Sequence, residues 1–335
     1  MIQRINATAM VVLSTVVCCN LVRGQMPAPV ILTIDTENIV EYQADISDVS
    51  KYATNANVTP AVNFRNFSVA TPLGDIVAVN GQPAKGLYAS RVAAIRTSPT
   101  PDHALEGAIA DTLHAAIREQ IFEILKSDGT PIGTLMALGF SGGTPPGAPA
   151  QVTGDWAIVG GTGAFLGARG QLGNGATIAA PRAASMAEDP ANRRINGGGR
   201  IRWVLTVIPM FVPQILATPA GPAVTHANDF TLVSASKPAA AGELLSLFVS
   251  GLGPTQPGVD PGIAFPLAPL QAVNSPVDVQ VNGKSAEVLA AVGFPDTVDY
   301  YQVNFRVPAE TAQGVATIQV SAAWIVGAPV SIPVQ

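Results

Sequence analysis

The sequence predicts an all-β protein of two domains, and three observations carry that expectation. The chain has 335 residues, and at about 100–200 residues per domain this suits two cores rather than one. Gly and Pro number 32 and 28, and they cut the chain into short apolar runs bounded by turn signals. Charged residues make up 12% of the chain, well below a usual share of about 25%. Hydrophobic residues make up 48%, too many for a disordered chain. The glycines have no three-residue period, which excludes collagen. A net charge of −5 argues against a nucleic-acid binder, which needs a basic patch. Short runs and many turns suit a β-sandwich or a β-barrel.

Taken in order, the chain opens with the anatomy of an export signal. Arg4 supplies a positive start, Ala7 to Val17 is uncharged and mostly apolar, and small residues follow near Gly24. The apolar stretch is eleven residues long, whereas a spanning helix needs about 20. Residues 1–24 are therefore expected to be a signal peptide, with no transmembrane span in the mature protein. Cys18 and Cys19 both lie in this segment, and they are the chain's two cysteines. Cleavage would leave no thiol for disulfides or metal. Residues 25–59 read as an extended N-terminal segment.

From there the pattern is strand and turn. Asp75 to Asn80 is an apolar run ending at Gly81, and Ala84 to Ile95 is a second. His103 to Ile117 has apolar residues at helical spacing and reads as a short helix or a strand lead-in. Ile117 to Lys126 alternates in part, with Phe122 and Ile124 flanking Glu123. Asp128-Gly129 then signals a hairpin into Pro131 to Phe140. Gly154 to Val159 and Phe165 to Leu172 flank a glycine turn, and Arg200 to Leu205 is a strand with one charged face.

Prolines 209, 213, 219 and 222 mark a boundary, expected to be a linker over 211–222. Charge changes across it. Residues 1–214 carry 15 basic and 15 acidic residues, and residues 215–335 carry 3 and 8. Beyond it come Leu244 to Val249, then Val277 to Val281 with Asn282-Gly283, a type I′ hairpin pair. Ala286 to Val292, Tyr300 to Val307, Val315 to Val320 and Val330 to Val334 follow. Short strands at this density suit an immunoglobulin-like sandwich over 223–335.

Two motifs suggest chemistry and fail on context. Gly160, Gly161 and Gly163 follow an apolar strand as a dinucleotide loop would, but such a loop must open a helix. Here four glycines fall between Gly167 and Gly175, each costing a helix about 1 kcal/mol. These glycines are expected to be structural turn residues. Gly139 to Gly143 matches G-x-S-x-G, with Asp155 and His226 in hydrolase order. The prolines 145, 146 and 149 forbid the helix a nucleophile elbow needs. His103, His114 and His226 have no metal-pair spacing, and the carboxylates from Asp35 to Asp48 have no calcium-loop spacing. No metal and no cofactor are expected.

Residues 154–170, GDWAIVGGTGAFLGARG, resemble the dirigent and allene oxide cyclase-like barrel families, and the resemblance extends loosely over 60–210. It implies an eight-stranded antiparallel barrel able to hold one small ligand. It also implies guided coupling or ring closure in a mostly apolar cavity. Residues 241–254 (AGELLSLFVSGLGP), Val281-Asn282-Gly283 and residues 301–308 (YQVNFRVP) resemble the immunoglobulin-like C-terminal domain of secreted acidobacterial proteins. That resemblance implies export and surface contact without catalysis.

The expectation is then a secreted, periplasmic or cell-surface protein whose barrel binds an apolar small molecule. Its second domain would serve as a spacer or attachment module. Arg169, Glu123, Phe122, Trp156 and Phe165 are the candidates to line the cavity. Two alternatives stand beside this: a cofactor-free cyclase or isomerase acting in the barrel, and a purely structural protein. Inward polar groups such as Arg169 or Glu123 gathered at one end of the lumen would favour the enzyme, a dry apolar lumen binding, and a lumen filled with large side chains the structural role.

Overall fold

The computed structural model describes residues 27–43, 69–94, 116–141 and 155–335. The export segment lies outside them, as does most of the ambiguous 103–117 stretch. The described chain forms two compact units, Ala28–Met210 and the residues from Phe211 to Gln335.

The first unit is a closed barrel of eight antiparallel strands. These are β1 (Val30–Gln43), β2 (Val69–Val79), β3 (Gln82–Ala94), β4 (Ala116–Lys126), β5 (Pro131–Ser141), β6 (Asp155–Gly163), β7 (Arg169–Ala179) and β9 (Gly199–Ile208). Each pairs with the next, and β1 closes the ring by pairing with both β2 and β9. A short β8 (Arg182–Ser185) runs parallel to the end of β1. The barrel therefore begins at residue 30. The expected barrel start at residue 60 is corrected: residues 30–43 of the extended N-terminal segment 25–59 are the closing strand. Ile31, Thr33 and Asp35 alternate with buried Leu32, Ile34 and Thr36, the pattern of a strand with one face in a core.

The two rims differ. At the lower rim the strands are joined by tight turns. Asn80 and Gly81 have φ of 49° and 75°, as a type I′ turn requires. Asp128-Gly129 makes the hairpin expected between β4 and β5. The strand ends at the upper rim include Gln43, Val69, Ala94, Ala116, Ser141 and Asp155, and residues 44–68, 95–115 and 142–154 lie outside the described residues. The described connection from β7 to β9, residues 180–198, holds β8 and a 3-10 turn at Pro190–Arg193.

A bulge in β1 changes which side chains enter the lumen. Its register slips between Glu37 and Val40, where Asn38 takes a left-handed φ of 54°, a conformation asparagine tolerates. Beyond the slip Glu41 is paired with Pro72, which shares the buried face of β2 with Ala70.

The second unit is also all-β. Leu244–Ser250, Tyr300–Arg306 and Glu287–Gly293 form the centre of one antiparallel sheet, and Val277–Val281, Gly314–Ala322 and Val330–Val334 the centre of another. Leu245, Leu247 and Val303 from the first and Val279, Ile318 and Ile332 from the second share one core. Asn282 and Gly283 have φ of 50° and 77°, forming the expected hairpin turn. The linker expected over 211–222 is corrected. Gln214–Ile215 pairs with Leu244–Ser250, and Ile215 enters the core. The prolines mark the border, but the chain beyond it is already structured.

Candidate functional site

The middle of the barrel is packed with rings. Trp203 stands at its centre, with ring centroids 5.0 Å from Tyr88, 5.7 Å from Phe122 and 6.2 Å from Trp156. Tilted and edge-on arrangements at such distances are the favourable ones for aromatic pairs. Below them Phe165, from the turn between β6 and β7, is buried against Gly133 and Gly161. A Cβ at either glycine would come within 3.2 Å of the Phe165 side chain. The lower end is thus filled.

The upper end is polar. Arg118↔Gly139↔Trp156 forms one row across β4, β5 and β6, and Gln120↔Ala137↔Ile158 the next row down. Small residues on β5 stand beside the larger groups on its two neighbours. Gln120 is 1% exposed and Trp156 9%. Tyr88 Oη donates to Gln120 Oε1 at 3.2 Å, and Ser90 Oγ donates to the Glu119 carbonyl at 2.8 Å. Burial pushes the Tyr88 pKa up to about 12, with the Arg118 charge opposing the shift and the Glu41 carboxylate adding to it. Arg118 lies 6.0 Å from the centroid of the Trp156 ring, within cation–π range.

What distinguishes this end is unmet hydrogen bonding. Seven buried side-chain polar atoms among the described residues have no partner, and three of them are Arg118 Nε, Gln120 Nε2 and Trp156 Nε1. All three are N–H donors. Buried polar groups are ordinarily paired, and an orphan costs about 1–3 kcal/mol. Three orphan donors on adjacent strands make a place for an acceptor.

The sequence-selected residues divide. Phe122, Trp156 and Phe165 are buried in the barrel. Glu123 is exposed on the outward face between fully buried Phe122 and Ile124. Arg169 is also exposed, its Nη1 donating to the carbonyls of Val159 at 2.8 Å and Ala168 at 2.9 Å. Neither of these charged side chains faces the lumen. Gly163 ends β6 with φ of 61°, and β7 starts at Arg169 with no helix between them. The expectation that Gly160 and Gly161 are turn residues is corrected: both lie within β6, paired with Met136 and Leu135. Sequence reasoning passed over Glu41, Tyr88, Arg118 and Gln120. The signal for two of them was present: the alternation that buries Ile124 and Phe122, carried back along β4, buries Gln120 and turns Arg118 inward.

Among the described residues no group of three or more His, Cys, Asp or Glu side chains could hold a metal ion, and no helix is long and apolar enough to cross a membrane. His226 is buried in the second unit, where its Nδ1 meets Glu243 Oε1 at 2.6 Å.

Comparison with family models finds no match, and a search of curated proteins returns none. Among solved structures, a polysaccharide lyase is similar at 9% identity and a TM-score of 0.17. The match covers 91% of this chain and 40% of that one, so this chain spans less than half the length of the lyase. At that score the likeness carries no argument about fold or activity.

Proposed function

We propose that the barrel binds a small, largely apolar molecule at its upper end. The second unit would be an immunoglobulin-like sandwich serving as spacer or attachment module in an exported, surface-facing protein. The observation that carries the binding reading is the set of three buried, unpartnered N–H donors on Arg118, Gln120 and Trp156, with Arg118 paired across the strands to Val92, which clusters with apolar Ala70 and Ala116. An apolar wall with a few placed polar groups is the usual make-up of a small-molecule site. Export rests on the sequence pattern of residues 1–24. The sandwich rests on the two sheets that share one core.

A second reading, a cofactor-free cyclase or isomerase, is favoured by the gathering of polar groups at the upper end and by Glu41. A carboxylate on the β1 wall, across from N–H donors on β4 and β6, is the pair of groups that proton abstraction beside a carbonyl needs.

Native mass spectrometry of the full purified chain tests the binding reading. A co-purified adduct of small mass, released on unfolding, is expected. Absence of any adduct, together with no calorimetric binding of apolar probes, would remove the reading.

A further inference from the structure

The three orphan donors restrict what the bound molecule presents to the barrel. Resting on the binding reading above, we infer that the ligand carries a carboxylate and that Arg118, Gln120 and Trp156 hold it. Each of the three residues offers an unpartnered N–H, and none of those three atoms can accept a hydrogen bond. A ketone or ester oxygen has two lone pairs and leaves one donor unmet. A carboxylate has two oxygens with about four acceptor positions, enough for all three.

Charge points the same way. Among the described residues Arg118 forms no salt bridge, although ten ion pairs elsewhere among them join arginine, lysine or histidine to a carboxylate. The lumen carboxylate, Glu41, takes its hydrogen bond from Gln43 Nε2 at 3.5 Å and not from Arg118. A guanidinium half-withdrawn from water, with its Nε–H unmet, favours an anion, since hydrogen bonds between charged partners are about twice as strong as neutral ones. The body of the ligand would then lie against the Trp156 ring and the small β5 residues Gly139 and Ala137, which share rows with Arg118 and Gln120.

The test is calorimetric titration of the full chain with three probes of matched shape: 1-naphthoate, 1-acetylnaphthalene and naphthalene. The acid is expected to bind at least tenfold more tightly than the ketone. Arg118→Gln should cut affinity for the acid tenfold or more while leaving the ketone within about threefold, which also reports that the variant is folded. Arg118→Lys, which keeps the charge but has no Nε–H in that place, should fall between the two. If the ketone binds as tightly as the acid, or if Arg118→Gln weakens both alike, the carboxylate inference falls while the binding reading stands. If none of the three binds, the carboxylate inference falls, and with no co-purified adduct the binding reading falls too.

Discussion

Trp203 Nε1 donates to Thr36 Oγ1 at 3.0 Å, and Thr36 Oγ1 donates in turn to the Ile201 carbonyl at 2.9 Å. The two residues are 167 positions apart, and both are about 1% exposed. This relay ties the first strand of the barrel to the last and fixes the ring on which Tyr88, Phe122 and Trp156 pack. Thr36→Val keeps the shape and removes the acceptor, leaving a buried indole N–H alone. It should cost about 1–3 kcal/mol. Thr36→Ser keeps the hydroxyl and should cost less than Thr36→Val. Urea unfolding of the two variants checks the order, and equal losses would mean the methyl matters more than the relay.

Thr36 also shows why part of this barrel was hard to read. The segments with strong local signals, Asp128-Gly129 between two apolar runs and the alternation from Arg200 to Leu205, were legible because turn chemistry and period are local. The closing strand was not. Its alternation from Ile31 to Thr36 is broken by the bulge at Asn38, which reverses the faces beyond it. A reading by period alone loses such a strand. The candidate site failed differently. Glu123 and Arg169 attracted notice as charges near apolar strands, but charge alone does not tell inward from outward. Arg118 and Gln120 are inward only in phase with Phe122, and that phase was obscured where β4 begins beside an apparent helical spacing.

The place of the first strand can be tested by truncation. A fragment of residues 60–210 lacks β1 and leaves β2 and β9 with open edges, while a fragment of residues 27–210 has the complete ring. Unpaired strand edges invite association with other chains. The shorter fragment should be aggregated or protease-labile, and the longer one soluble with a cooperative unfolding transition. A cooperative, monomeric 60–210 fragment would show that β1 is dispensable.

Asp75 predicts a pH dependence. Burial pushes its carboxyl pKa up, but hydrogen bonds from Arg194, Asn38 and Arg193 outweigh this and hold it below the usual carboxylate range. A group whose folded pKa lies below its unfolded value of about 3.9 stabilises the fold above that value. The contribution disappears as pH falls through the folded pKa. Asp75→Asn should therefore be less stable than the parent by about 1–3 kcal/mol at pH 7, and the gap should narrow below about pH 4. Urea midpoints at pH 7 and pH 3 measure both, and a gap that stays constant would remove Asp75 from the acid response.

The second unit has its own core, drawn from both of its sheets, and its strands pair with one another from Gln214 onward. Residues 211–335 expressed alone should unfold in one cooperative step. A fragment starting at 223 loses Ile215, a core residue paired to Val249. It should unfold at lower denaturant, by about 1–3 kcal/mol for the loss of one buried aliphatic side chain. Equal midpoints would restore 211–222 to the role of a linker.

The glycine turn gives the sharpest separation between a structural and a nucleotide-binding reading. Gly163 has φ of 61°, where a side chain is strained. A Cβ there would also stand 2.4 Å from the Ile132 carbonyl oxygen and 2.9 Å from Gly133 Cα. Both neighbours are backbone in a paired strand, so neither can move without disturbing the β5–β6 ladder. Gly163→Val combines an unfavourable φ with this collision and should lower stability by about 1–3 kcal/mol or more. Gly160 is different. Its Cβ would meet a single atom, the end of the Arg169 side chain at 3.9 Å, so Gly160→Ala should be nearly neutral. A phosphate cradle would need both glycines for close backbone approach, and loss of either would abolish binding. The parent chain should show no thermal shift with millimolar ATP, NAD or NADP, because a ligand bound to the folded state alone would raise its stability. A rise of several degrees that Gly160→Ala removed would establish the cradle in place of the turn.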